Sequence, residues 1–222
     1  MQDEYFKELN VDDIKPKSKL LLIGPLNFKH ENIIADLFEN YDDEFVSNSL
    51  IISPPNAVLK TLYPSVTVDD EYSAESIMLN LHNSKHNAIV LYMHTYIKDD
   101  AVTEMILNGR HYFKDVVVII QHPMDIPPSI RNQFDYVFIS HYNDPTIQKN
   151  IYSAYCGAFP TFYMFQTAFN GITSTGDLIV ILQSWNSSLT DNVFWYSLPE
   201  IEMPTTDISC DDNTDDYLTV YI

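Results

Sequence analysis

The sequence predicts an α/β domain: a mostly parallel sheet flanked by helices in three layers. Two patterns point that way. Short apolar runs bounded by turn residues alternate with longer amphipathic segments, and strands covered by helices on both faces read as continuous apolar runs. The chain also has material for one sizeable core, with 222 residues of which 45% are hydrophobic and 13% aromatic.

Taken in order, the strand runs are Lys19 to Gly24, Ser49 to Ser53, Ala88 to Met93, Val116 to Gln121 and Tyr136 to Ser140. Each is rich in Val, Ile and Leu and is bounded by Gly, Pro, Ser or charged residues. Between them, Glu31 to Asn40, Ala74 to Asn83, Asp99 to Leu107 and Thr146 to Tyr155 place apolar residues at three- and four-residue spacing, the helical period. Asp144-Pro145 marks the last start, with an N-cap carboxylate followed by proline at the first helical position. A further short helix is predicted over Thr161 to Phe169, and late strands over Asp177 to Leu182 and Val193 to Tyr196.

This gives an N-terminal extension (1–17), one domain (18–198) and an acidic C-terminal tail (199–222). The tail ends in ISCDDNTDDYLTVYI, with four aspartates and no cation. It reads either as a solubilising end or as a docking segment in which Tyr217, Leu218, Val220 and Tyr221 bind a partner.

Charge excludes one class of function. The chain carries 31 acidic and 12 basic residues, a formal charge of −19, and its last cation is Lys149. A duplex-gripping protein must neutralise phosphates with Lys or Arg, so this field opposes direct DNA binding. Lys15, Lys17 and Lys19, beside Asp12 and Asp13, read as a solvated flank. Cys156 and Cys210 form no CxxC or CxxH pattern, which suggests neither a disulfide framework nor a zinc site and fits a reducing compartment. The acidic start MQDEYFKELN is unlike a signal peptide, and no apolar run is long enough to span a bilayer. A soluble intracellular protein is expected.

Several segments in succession carry a resemblance. They are LLLIGPLNFKHENII, SLIISPPN with YPSVTVDDEY, the block NGRHYF…VVVIIQHPMDIPPSIRNQFDYVFI, then AFPTFYMF and DNVFWY. In this order and spacing, from about Lys19 to Tyr196, the chain resembles the genome-packaging ATPases of nucleocytoplasmic large DNA viruses, in the FtsK and HerA superfamily. The central block is the most specific piece. The resemblance implies a P-loop NTPase-like fold of the RecA/FtsK-HerA type.

It also implies where the nucleotide motifs belong. The first is a GxxxxGK[ST] loop, in which glycines let backbone amides wrap phosphates, Lys bridges the terminal phosphates and a hydroxyl holds magnesium. Gly24 is retained, but Lys29 stands at the second glycine, His30 at the lysine and Glu31 at the hydroxyl. A carboxylate facing phosphates is repulsive, so nucleotide binding is opposed. The second motif needs acidic residues at a strand end, yet Tyr92, Met93 and His94 stand there. Asp99 and Asp100 come later and read as a helix start.

The third region keeps its expected groups. The resemblance assigns to Arg110, just before the fourth core strand, a contact with a neighbouring subunit's nucleotide. It makes Gln121 a polar sensor and Arg131 a second candidate for a contact in trans. Arg110 reads equally as a salt-bridge or helix-end residue, and Gln121 as a strand-end hydrogen bonder. The reading is therefore a packaging-ATPase-like viral protein, without hydrolysis, acting as an interaction or regulatory subunit in virion assembly or genome packaging. It needs no cofactor; ATP and magnesium enter only if the chain is an active ATPase with a noncanonical site. A virion structural component that keeps only the fold is the further alternative. The expected partner is a protein, either a second copy or a catalytic packaging ATPase relative, with no membrane contact, in the host cytoplasm (viral factory) or the virion.

Overall fold

The computed structural model describes residues 6–25, 27–55, 57–93, 98–183 and 189–201. Five parallel strands form its centre: β2 (Lys19–Ile23), β3 (Leu50–Ile52), β5 (Asn87–Met93), β6 (Lys114–Ile120) and β7 (Tyr136–Ile139). Four more complete the sheet: β1 (Lys7–Glu8), β4 (Thr67–Asp69), β8 (Leu178–Leu182) and β9 (Val193–Tyr196). The order is β1-β9-β8-β7-β2-β6-β5-β3-β4, and only β8 runs antiparallel to both its neighbours.

Alternation along the strands fills two apolar layers. Leu21 and Ile23 of β2 join Val116, Val118 and Ile120 of β6 on one face. Leu20 and Leu22 join Val117 and Ile119 on the other. The first layer is covered by α4 (Ala74–His82), α5 (Asp100–Asn108), α7 (Pro145–Tyr155) and α8 (Phe162–Thr173); the second is covered by α1 (His30–Glu39) with the short α2 (Asp43–Asn48) and α3 (Ala57–Leu62). Both faces of β2 and β6 are therefore dry, which is why their sequences show no polar alternation.

The predicted strands and long helices are present, with ends shifted by a few residues. Asp99 caps α5 by accepting from the Ala101 amide at 2.7 Å, and Asp144 caps α7 by accepting from Thr146 at 2.7 Å. The stretch before residue 18 adds the edge strand β1 and buries Leu9 and Val11. Lys19 corrects the expected solvated flank: only 5% of it is exposed, and its ammonium donates to the Ile106 and Leu107 carbonyls at the end of α5. Lys114 does the same for α4, donating to Asn83 and Lys85 carbonyls at 2.7 Å each. Burial lowers its pKa to about 8. These two lysines, at the starts of β2 and β6, satisfy helix-end carbonyls that would otherwise be orphaned.

Candidate functional site

All the central strands end on the same edge, and β2 lies where the chain order reverses, with β6 on one side and β7 on the other. Crevices in open α/β sheets form at this place. The Gly24–Glu31 loop leaves β2 here. The Gly24 amide donates to the Ile120 carbonyl at 3.1 Å, tying the loop to the end of β6.

The loop then closes on itself. The Phe28 amide donates to Pro25, the His30 amide to Phe28 and the Asn32 amide to Lys29, at 2.9, 2.9 and 3.2 Å. These amides are satisfied within the loop instead of lining a cradle for an anion. His30 folds back over Gly24 and is only 5% exposed. Its ring meets Phe28 edge-on at 4.9 Å and Tyr92 at 6.0 Å. A Cβ on residue 24 would approach His30 Nε2 and Phe28 Cδ1 at 2.9 Å and Ser140 Oγ at 3.0 Å, so glycine is needed for the close approach of these side chains.

Burial pulls the His30 pKa down to about 4, partly opposed by a hydrogen bond to the Phe28 backbone, so the ring is neutral at physiological pH. His30 Nε2, Ser140 Oγ and the Tyr92 hydroxyl are buried with no hydrogen-bond partner. Burial first, and then the Glu31 charge, push the Tyr92 phenol well above its usual range. Lys29, Glu31, Ser53, Tyr92 and Gln121 line the adjoining cleft, of about 410 Å³.

In this arrangement a neutral imidazole and the Phe28 ring lie against Gly24, and Glu31 lines the cleft beside them. Met93, at the end of β5, is buried in the apolar layer. His94 lies outside the described residues. Asp99 is committed to capping α5, and no group of three or more His, Cys, Asp or Glu able to hold a metal occurs among the described residues.

Gln121 sits at the other end of β6 from Arg110, across ~20 Å of strand at ~3.3 Å per residue. Its carbonyl accepts from the Tyr142 hydroxyl at 2.5 Å. Arg110 lies in a 3-10 turn, Gly109–Tyr112, before β6. One terminal nitrogen, Nη2, meets both Asp135 oxygens at 2.7 and 2.6 Å, and Nε donates to the Lys17 carbonyl at 3.3 Å. The salt-bridge reading of Arg110 thus holds, and its own cleft is out of reach. Arg131, at the end of α6 (Pro128–Arg131), donates to the Ile126 carbonyl at 2.7 Å, with its guanidinium 5.7 Å from the Tyr155 ring centre. Sequence reasoning missed Ser140 and the contact between His30 and Tyr92. Only the polar residue ending an apolar strand hinted at Ser140.

The cations are dispersed or occupied. Lys19 and Lys114 are buried, while Lys60 pairs with Asp70, Lys85 with Glu44 and Arg110 with Asp135. With a net charge of −19, the isolated protein is expected not to bind duplex DNA at physiological salt. A gel shift across a salt series checks this, and micromolar binding that weakens steeply with salt would overturn it. No helix among the described residues is long and apolar enough to cross a membrane.

The fold is P-loop NTPase-like, a sheet flanked by helices as in solved genome-packaging NTPases. The genome packaging NTPase of Sulfolobus turreted icosahedral virus 2, solved with ATP-gammaS, superposes with a TM-score of 0.59 at 12% identity, covering 83% of this chain and 98% of that one. The DNA-packaging ATPase from Sulfolobus turreted icosahedral virus gives a TM-score of 0.58 at 9% identity, over 84% and 100%. In sequence, the chain is 27% identical over 236 residues to an uncharacterized protein of Invertebrate iridescent virus 3, covering 90% of this chain and 88% of that protein. It is 26% identical over 217 residues to one of Invertebrate iridescent virus 6, covering 87% and 82%. No family model matches the chain.

Proposed function

We propose that this chain is a viral packaging-ATPase-like protein without ATP hydrolysis, which acts as an interaction or regulatory subunit in virion assembly or genome packaging. The observation that carries the reading is the His30 ring packed onto Gly24, with Glu31 lining the adjoining cleft; the resemblance puts Glu31 where a magnesium-binding hydroxyl belongs. A neutral ring cannot bridge phosphates, and a carboxylate there repels them. What remains is a scaffold whose exposed guanidinium, Arg110, points to work on another molecule. The fold's occurrence in packaging NTPases and the viral relatives support the setting. The partner is a second copy or a catalytic packaging ATPase.

Purified protein is expected to show no magnesium-dependent ATP turnover above background and no tight nucleotide binding. Phosphate release and calorimetry measure the two. One observation favours the active-ATPase reading instead: Lys29 lines the cleft together with Gln121. Turnover that disappears in Lys29→Ala would establish that reading and remove the first.

A further inference from the structure

The tail read above as a docking segment lies outside the described residues, whereas a groove suited to a partner lies within them. It runs alongside α1 in two connected parts of about 930 and 320 Å³, which share Glu39, Leu62 and Tyr63. Its charged lining is one-sided: the carboxylates of Asp36, Glu39, Asp43, Glu44 and Glu200 face a single ammonium, Lys85. That ammonium is already paired with Glu44 at 2.9 Å. Lys60 of α3 is spent on Asp70 at 2.7 Å, and His86, edge-on to Tyr41, lies 3.3 Å from Asp115. Glu39 and Asp43 take part in no salt bridge among the described residues.

Local structure does not account for the charges at the end of α1. Asp36 and Glu39 stand in its last turn, where free carbonyls form the negative end of the helix dipole, and that turn holds no basic residue. The helix itself disfavours carboxylates there. Their field reaches into the groove: burial first, and then the charges of Glu39 and Asp36, push the Tyr63 phenol up to about 12.

Two tyrosines complete the lining. Tyr41 stacks on Phe45, with ring centres 3.7 Å apart and planes 8° from parallel, and its hydroxyl donates to Asp115 at 2.7 Å. Tyr63 packs edge-on against Phe38, and its hydroxyl donates to the Ala35 carbonyl at 3.3 Å. Both hydroxyls are committed to the fold, so what these residues offer the groove is ring surface. A fixed ring among unpaired carboxylates suits a guanidinium or an ammonium, which is attracted by the π-system and by the charges together.

We propose that this groove is the docking site for a Lys- or Arg-rich segment of a protein partner. A second copy of the chain does not supply such a segment. Its only three close-set cations, Lys15, Lys17 and Lys19, stand beside Asp12 and Asp13, and Lys19 is buried. Nucleic acid is repelled by the same carboxylates. The proposal deepens the interaction reading above and rests on it for the existence of a protein partner, but it does not depend on whether the chain turns over ATP.

The probe is a fluorescein-labelled peptide of alternating Arg and Ser, titrated into the full chain and followed by anisotropy. Binding that weakens as salt is raised is expected. Glu39→Gln combined with Asp43→Asn, both exposed positions, should lower affinity on the order of tenfold, the worth of two exposed ion pairs. Glu71→Gln combined with Glu75→Gln makes the same change of charge beside the start of α4, which covers the opposite face of the sheet, and should leave affinity unchanged. Backbone amide shifts on adding the peptide should cluster at residues 36–48 and 62–65. No binding, equal weakening by the two double variants, or shifts spread over the whole surface overturns the proposal, because the peptide then senses at most the overall charge of −19. Since the peptide is synthetic, its binding is read separately from the ATP turnover and nucleotide binding that test the reading above.

Discussion

Arg110→Ala is expected to abolish stimulation of a catalytic packaging ATPase by this chain while leaving their complex intact. An arginine supplied in trans stabilises charge developing on the transferred phosphoryl group, an effect on the order of 10³-fold or more where such arginines are decisive. On the proposed reading, the groups that would serve the chain's own nucleotide are replaced, whereas the guanidinium that would serve a neighbour's is present. Its placement suits a contact in trans, because Arg110 is 52% exposed in its side chain and stands at the opposite end of β6 from the Gly24 loop. Asp135 holds it in a defined direction, and because the pair is exposed its hold is weak, on the order of 1 kcal/mol or less. Co-purification followed by steady-state hydrolysis measures both halves. Failure to form a complex, or equal stimulation by the variant, removes the role in trans.

The second large effect is on stability. His30 has a folded pKa of about 4 against an ordinary 6.5, lowered first by burial. Between those values the unfolded chain binds more protons than the folded one, so this residue makes stability fall as pH drops from 6.5 toward 4. Above 6.5 the ring is neutral in both states and contributes no slope. At ~1.36 kcal/mol per pKa unit, the loss is about 3 kcal/mol across the window. Urea unfolding of the wild-type chain and His30→Leu should therefore give a stability difference that shifts by about this amount against the wild type on acidification. Comparing the two largely cancels the buried Asp115, whose raised pKa acts in the opposite sense. A difference independent of pH would mean that the ring is solvated and does not fill the glycine cradle.

How much of this was legible depended on burial and on distance along the chain. The central strands could be read because both their faces are dry, so LLLI and VVVII stand out as runs. The edge strands β1 and β4 have two and three residues, exposed in β1 and exposed or half-buried in β4, too little pattern for a period to emerge. The helices α2 and α3 have six residues each and fail for the same reason. In the candidate site, the departures at Lys29, His30 and Glu31 are implied by the resemblance of the Gly24–Glu31 segment to a phosphate loop. The pairing of Arg110 with Asp135, and the meeting of His30 with Tyr92 and Ser140, join residues far apart in sequence. The fold brings them together, and no local motif encodes them.

The packing around Gly24 also bears on what a change in this loop would do. A lysine at position 30 alone would withdraw the imidazole from between Phe28 and Tyr92, leaving the Glu31 charge in the cleft and a void lined by Ser140 and the two rings. Changing Glu31 alone would leave the imidazole in place. Either single step loses packing or leaves the ring where it is, so the two positions are coupled and their effects will not add. Packing and charge at this loop are therefore one property, and neither can be altered without the other.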